Sequence, residues 1–184
     1  LGFYKRRSHD IVDIPDCPVA MGSLKKLIAT IKAWMLDSAV QPYSEETGRG
    51  LLRHVVMRTV RGGDVLVLLV ATSETLPGID RLVASLKTDV PGFVALHISE
   101  NRMRNNVILG STCRKVYGVD AIEETLLGLT FEITPLSFFQ VNPVQTERLY
   151  QLALDFAALT PEDTVIDAYA GAGTISLCIA KQCN

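Results

Sequence analysis

The chain has 184 residues, 48% hydrophobic and 21% charged, with a formal net charge of −2, a pI near 5.9 and a mean hydropathy of +0.24. That balance supports a buried core and excludes a disordered chain, and it gives no global basic footprint for nucleic acid. No apolar run approaches the ~20 residues that cross a bilayer and no secretory leader opens the chain, so a cytoplasmic protein with no membrane partner is expected.

From Leu1 to Ile14 the pattern predicts two short antiparallel strands joined through Lys5-Arg6-Arg7 and His9. The basic cluster is either a solvated hairpin tip or a contact for nucleic-acid phosphates. Asp16-Cys17-Pro18 then precedes a helix whose apolar positions Leu24, Leu27, Ile28, Ile31 and Met35 recur at steps of three and four. The four cysteines, Cys17, Cys113, Cys178 and Cys183, form no CxxC pair, and a disulfide framework is not expected in a chain this rich in core residues.

After the polar loop Tyr43–Gly50, two apolar stretches flank Arg61-Gly62-Gly63-Asp64 and predict a β-hairpin over residues 51–60 and 65–71. His54 has no carboxylate or nucleophile near it in sequence and reads as a sheet residue rather than a general base. Arg53 and Arg58 are expected to line a surface. A short amphipathic helix follows from Ile79 to Lys87, then a strand from Phe93 to Ser99 in which His97 is a partly buried sheet residue. The turn Asn101–Asn106, with two arginines, serves equally as a plain connection or a nucleic-acid contact. Further strands are predicted at Val107–Gly110, Cys113–Tyr117, Ile122–Leu126 and Leu129–Ile133, the last two joined tightly at Leu127-Gly128. Residues 1–136 thus read as an α+β unit, an antiparallel sheet with two helices against it.

Residues 137–184 change character. A helix is predicted over Val144–Phe156, then a strand Thr164-Val-Ile-Asp167, the turn Gly171-Ala172-Gly173 and another helix. This is a βα nucleotide turn, in which glycines let the backbone approach a ligand and the next helix offers unpaired N–H groups. The dinucleotide fingerprint requires a third glycine where this chain has Ser176, which disfavours a nicotinamide dehydrogenase. Asp167 would repel a pyrophosphate but can hold the ammonium end of a methionine moiety, which favours S-adenosylmethionine (SAM).

Ser137-Phe-Phe-Gln140-Val-Asn-Pro143, the helix after it, and Asp167-Ala-Tyr169-Ala-Gly171-Ala-Gly173-Thr-Ile-Ser-Leu177 resemble the start of the catalytic domain of the RNA uracil-5-methyltransferases of the RumA and TrmA type. A weaker likeness runs back to Gly2-Phe3-Tyr4. The resemblance implies a central α+β domain followed by the first βα unit of a Rossmann-like SAM domain. It implies that Gln140 and Tyr169 contact SAM, with Asp167, Gly171 and Gly173 framing its amino-acid end. One departure is Ala170-Gly171 where relatives often carry Cys-Gly; alanine is small enough to keep the turn.

The implied reaction is methylation of C5 of a uracil in RNA, 23S ribosomal RNA in particular. A cysteine thiolate adds to C6, C5 takes the methyl, a glutamate removes the C5 proton and the thiolate leaves. Both catalytic residues are expected beyond residue 184, so the chain reads as an inactive piece of a longer protein. Cys17 is expected as the fourth ligand of a [4Fe–4S] cluster in the parent only. The strand around Val165 lacks sheet neighbours, so the tail after Ser137 is expected either to pack against a second copy or to be poorly ordered. The alternative from another class is a non-catalytic RNA-binding or assembly module.

Overall fold

A computed structural model describes residues 1–8, 10–17 and 22–183. His9 and Pro18, used in the sequence reading, lie outside the described residues, as do the side chains of Gln182 and Cys183. The chain divides into two compact units, Leu1–Asp120 and Ala121–Asn184.

In the first unit, strands β1 (Gly2–Tyr4) and β2 (Ile11–Asp13) pair antiparallel, with Phe3 opposite Val12. Helix α1 (Leu24–Asp37) follows. A four-stranded sheet is built from β3 (Leu52–Thr59), β4 (Val65–Ala71), β5 (Phe93–Glu100) and β6 (Arg114–Gly118), in that order. Helix α2 (Ile79–Asp89) lies between β4 and β5 in the chain. The sheet is not wholly antiparallel, as the sequence reading had it, because β4 and β5 run parallel. A crossover helix lets the chain return to the starting edge before the next strand, whereas a tight turn forces reversal. The other two pairings, β3–β4 and β5–β6, are antiparallel.

Every residue of β4 is buried, so this central strand is covered on both faces. On one of them Val65, Val67, Leu69 and Ala71 join Leu96 and Ile98 of β5, Leu27, Ile31 and Trp34 of α1, and Leu82 and Leu86 of α2. Each such side chain contributes ~2 kcal/mol relative to staying in water. Trp34 also donates its indole N–H to the Pro77 carbonyl at 3.0 Å. The stretch Val107–Gly110, predicted as a strand, is irregular. Its carbonyls at Val107 and Ile108 are taken by the buried Asn101 side chain at 2.7 and 3.0 Å, which substitutes for a ladder.

In the second unit, β7 (Ile122–Leu126) and β8 (Leu129–Ile133) form a hairpin whose two-residue loop has positive φ at both Leu127 and Gly128, the geometry that matches strand twist. Helices α3 (Pro143–Ala157) and α4 (Thr174–Cys183) complete it. Leu126, Phe131, Tyr150 and Cys178 form the core, with Leu127, Leu129, Phe139 and Ile175 packed on it. This shared core is why β7 and β8 group with the helices, although the sequence reading placed them in the unit ending at residue 136.

The predicted strand Thr164–Asp167 is not formed. Among the described residues it has no ladder partner, and Val165 and Ile166 stand 42% and 87% exposed. Strand structure is a property of pairs, and a lone apolar segment has no partner for its backbone donors. Among the described residues no helix is long and apolar enough to cross a membrane.

Candidate functional site

The second unit carries the glycine turn, which is held by local geometry. The Ala170 carbonyl accepts the Gly173 N–H at 2.7 Å, and Gly171 and Gly173 have φ of +56° and +72°. A Cβ built on Gly173 would meet nothing within 4 Å, and one on Gly171 would meet only the Tyr169 carbonyl oxygen at 4.0 Å. Glycine is thus required here for conformation rather than for internal room. Helix α4 starts directly after it. Its first intrahelical bond runs from Leu177 N–H to the Gly173 carbonyl at 2.9 Å, so the N–H groups of Thr174, Ile175 and Ser176 have no helical carbonyl.

Two contacts fix the turn to the rest of the unit. The Tyr150 hydroxyl of α3 and the Thr174 hydroxyl lie 2.6 Å apart in a hydrogen bond. The half-buried Asp167 accepts the Tyr169 N–H on Oδ1 at 3.2 Å and the Ser176 hydroxyl on Oδ2 at 2.5 Å. The α3 helix is itself well seated. Asn142 caps it by accepting the Gln145 N–H at 3.1 Å, with Pro143 in its first turn. Glu147 accepts the Leu127 N–H at 3.0 Å while Lys181 of α4 donates to the Leu127 carbonyl at 3.1 Å, so both helices clamp the hairpin loop. Upstream of the turn, Asp163 accepts the backbone N–H and the hydroxyl of Thr160 at 2.7 and 2.9 Å, and these bonds, the backbone one foremost, hold its carboxyl below the usual range.

Of the site residues named from sequence, Asp167, Gly171, Gly173 and the backbone of Tyr169 come together in this turn. The Tyr169 ring is 96% exposed. Gln140 is also exposed. Its neighbour Phe139 packs on the core that carries Ile175 of α4, with its ring 6.2 Å from that of Phe131. Sequence reasoning used Ser176 only to exclude a dinucleotide; its bond to Asp167 was missed, and the only available signal was a hydroxyl at the third helical position. The Tyr150–Thr174 pair was missed for lack of any motif.

The other candidates resolve differently. Arg53, expected on a surface, is a structural clamp with a side chain 1% exposed. It donates to the carbonyls of Asn101 and Met103 at 3.0 and 2.7 Å and to Glu45 at 3.0 Å, and lies 4.5 Å over the Tyr43 ring. In the Asn101–Asn106 turn, Arg102 binds the Thr72 carbonyl and Glu100, and Arg104 the Thr47 carbonyl. Lys5, Arg6 and Arg7 are exposed. His54 stacks edge-on to Tyr4 with ring centres 6.5 Å apart; burial first, and Arg53 second, push its pKa down.

Among the described residues no group of three or more His, Cys, Asp or Glu is arranged to hold a metal. Cys17 is half-buried. A [4Fe–4S] cluster takes four thiolates, so the described residues do not supply one. The residues at the glycine turn do fit the methionine end of SAM: a fixed carboxylate, backbone donors and an exposed loop from Ala168 to Ala172.

No protein-family model matches the chain. Curated relatives do. An uncharacterized RNA methyltransferase of Caldanaerobacter subterraneus subsp. tengcongensis is 40% identical over 184 residues, which is all of this chain and 41% of the relative. One of Clostridium tetani is 39% identical over 183 residues, 99% of this chain and 40% of the relative. The chain therefore spans about two fifths of the length of these relatives. Among solved structures, the Pyrococcus abyssi tRNA (uracil-54, C5)-methyltransferase in complex with S-adenosyl-L-homocysteine aligns over 94% of this chain and 41% of its own, with a TM-score of 0.76 and 27% identity.

Proposed function

We propose that the chain is part of an RNA uracil-5-methyltransferase, a reading supported by its RNA methyltransferase relatives and by its likeness to the Pyrococcus abyssi enzyme, and that the complete protein methylates C5 of uridine in RNA with SAM as donor. The observation that carries this is the Asp167 carboxylate, fixed by two hydrogen bonds beside an exposed glycine turn.

When bound, SAM supplies an electrophilic methyl on its sulfonium. Asp167 would hold its ammonium group, and the N–H groups at the start of α4 would be available to its carboxylate. Tyr169 would pack on it, and Gln140 would offer an amide from upstream. The uracil, with its poorly nucleophilic C5, is activated by addition of a cysteine thiolate to C6. In the complete protein the methyl would then pass to C5, a carboxylate would remove the C5 proton, and the thiolate would be expelled. The target base leaves its stack to reach the site, at a cost of a few kcal/mol. We assign the nucleophile to none of the described cysteines. Cys178 is buried, and desolvation raises its pKa; burial does the same to Cys113, with Asp120 adding to it. These 184 residues accordingly contribute the donor side of the site and do not methylate alone.

The further parts of the proposal are a 23S ribosomal RNA substrate, a cytoplasmic location, a doubly wound domain beginning with α3, and self-association of the isolated chain through Val165, Ile166 and Phe156, all exposed. The Pyrococcus abyssi relative acts, by its name, on tRNA, so the test offers both RNAs. Complete protein is incubated with methyl-labelled SAM and unmodified 23S rRNA or tRNA, and 5-methyluridine is read by mass spectrometry. Label in rRNA, lost in Asp167→Ala, is the expected result. Label in tRNA alone changes the substrate, and label in neither overturns the activity. For self-association, sedimentation of the 184-residue chain is expected to give a dimer that Ile166→Lys dissolves; a monomer at high concentration ends that part.

A further inference from the structure

We propose that Ser176 is a positioning residue that aims the Asp167 carboxylate at the ammonium group of the methyl donor's amino-acid end. This rests on reading the glycine turn as the donor site, and it adds a residue whose role neither the motif nor the relatives' names assign.

The argument starts from the carboxylate's capacity. An aspartate has two oxygens with about four acceptor positions. One is used by the Tyr169 N–H at 3.2 Å, a local contact two residues along. That bond alone would leave the group free to swing about its terminal torsion, which is broad for aspartate. The second anchor comes from another element: the Ser176 hydroxyl, in the first turn of α4, reaches Oδ2 at 2.5 Å. With one anchor on each oxygen, the plane of the carboxylate is fixed, and one acceptor position on each oxygen remains for a ligand.

The direction of those positions follows from the surroundings. Asp167 is half-buried, while residues 168–172 are exposed and a Cβ built on Gly173 would meet nothing within 4 Å. A cation approaching along the turn meets the unoccupied acceptors. In the dinucleotide fingerprint the place of Ser176 belongs to a glycine, needed there for close helix–strand packing. In this chain a hydroxyl occupies that place. A serine inside a helix commonly bonds back to the carbonyl four residues earlier; this one bonds to the acid before the turn.

The test separates positioning from simple support of the fold. Binding of S-adenosylhomocysteine and of methylthioadenosine, which has the same nucleoside but no amino-acid end, is measured by calorimetry on the complete protein with Ser176→Ala, Ser176→Thr and Asp167→Asn. Loss of one charge-assisted hydrogen bond predicts that Ser176→Ala weakens S-adenosylhomocysteine about tenfold. Methylthioadenosine binding stays unchanged and Ser176→Thr restores the wild-type value. Equal weakening of both ligands in Ser176→Ala makes the serine merely structural and overturns the proposal. Unchanged S-adenosylhomocysteine affinity in Ser176→Ala, with Asp167→Asn still weak, overturns it while leaving the donor site standing. Wild-type protein that binds neither ligand, or an Asp167→Asn variant that binds both normally, removes the donor-site reading and this proposal with it.

Discussion

Arg53 is the sharpest point at which a surface role and a structural role part company, and Arg53→Met separates them. The guanidinium makes two bonds to backbone carbonyls and one to Glu45, with Tyr43 beneath it. Charge-assisted bonds contribute ~1.5 kcal/mol each at the lower end, and a partly desolvated cation–π contact adds ~1 kcal/mol, for a gross total of ~5.5 kcal/mol. Against this, Arg53 Nε is buried without a partner, a loss of ~1–3 kcal/mol. The net is ~3 kcal/mol, at the lower edge of what breaking a buried ion pair costs. Methionine keeps the apolar stem over Tyr43 and deletes the charge. Trp34, the sole tryptophan, sits in the core of the same unit, so its fluorescence in urea reports that unit alone. With an m-value of ~1.5 kcal/mol/M, the midpoint falls by ~2 M. A variant with an unchanged Trp34 midpoint, but RNA binding weakened and its salt slope reduced by ~1, would refute the structural assignment.

Tyr150→Phe removes the hydroxyl bonded to Thr174 and is expected to cost the second unit ~1 kcal/mol, read as faster hydrogen exchange at the Leu177 amide; unchanged exchange there means the pair does not hold the turn. His97 is buried with Nδ1 unpartnered, and desolvation lowers its pKa despite the opposing pull of Asp120. The unfolded chain then takes up a proton near pH ~6.5 that the fold refuses, so stability is full above that pH and declines as pH falls toward the folded value. His97→Gln should flatten the drop in Trp34 midpoint between pH 7.5 and 5.5, leaving the share due to His54, whose pKa is shifted the same way; an equally steep drop in the variant assigns the effect elsewhere.

The features legible in the sequence were those that a few adjacent residues determine. The α1 helix follows from its apolar spacing, and Leu127-Gly128 between two alternating strands sets a two-residue hairpin loop. Gly171 and Gly173 announce positive φ wherever they occur in such a turn, and both have it. The arginines were not legible, because a carbonyl such as that of Met103 leaves no mark in sequence as a partner for Arg53. The sheet was half legible. Val65–Ala71 is an unbroken apolar run, the signature of a strand buried on both faces, and a helix separates it from the next strand. Together these imply a parallel crossover, but the glycine turn before Val65 reads more loudly as a hairpin, and only one side of β4 pairs that way.

The second unit shows the limit most clearly. Val165 and Ile166 have strand composition, yet strand is a relation between segments, and composition supplies only one member. The glycine turn after them needs no such partner: it is closed by its own Ala170–Gly173 bond and tied at its two ends by Ser176 and Tyr150. Among the described residues the turn thus keeps its geometry without a paired strand before it. On this view the geometry of Asp167 is set by α3 and α4 rather than by a strand. Changes at Tyr150 or Ser176 should disturb it more than changes at Val165, an order that donor-binding measurements on the three variants would reverse if the strand were the true support.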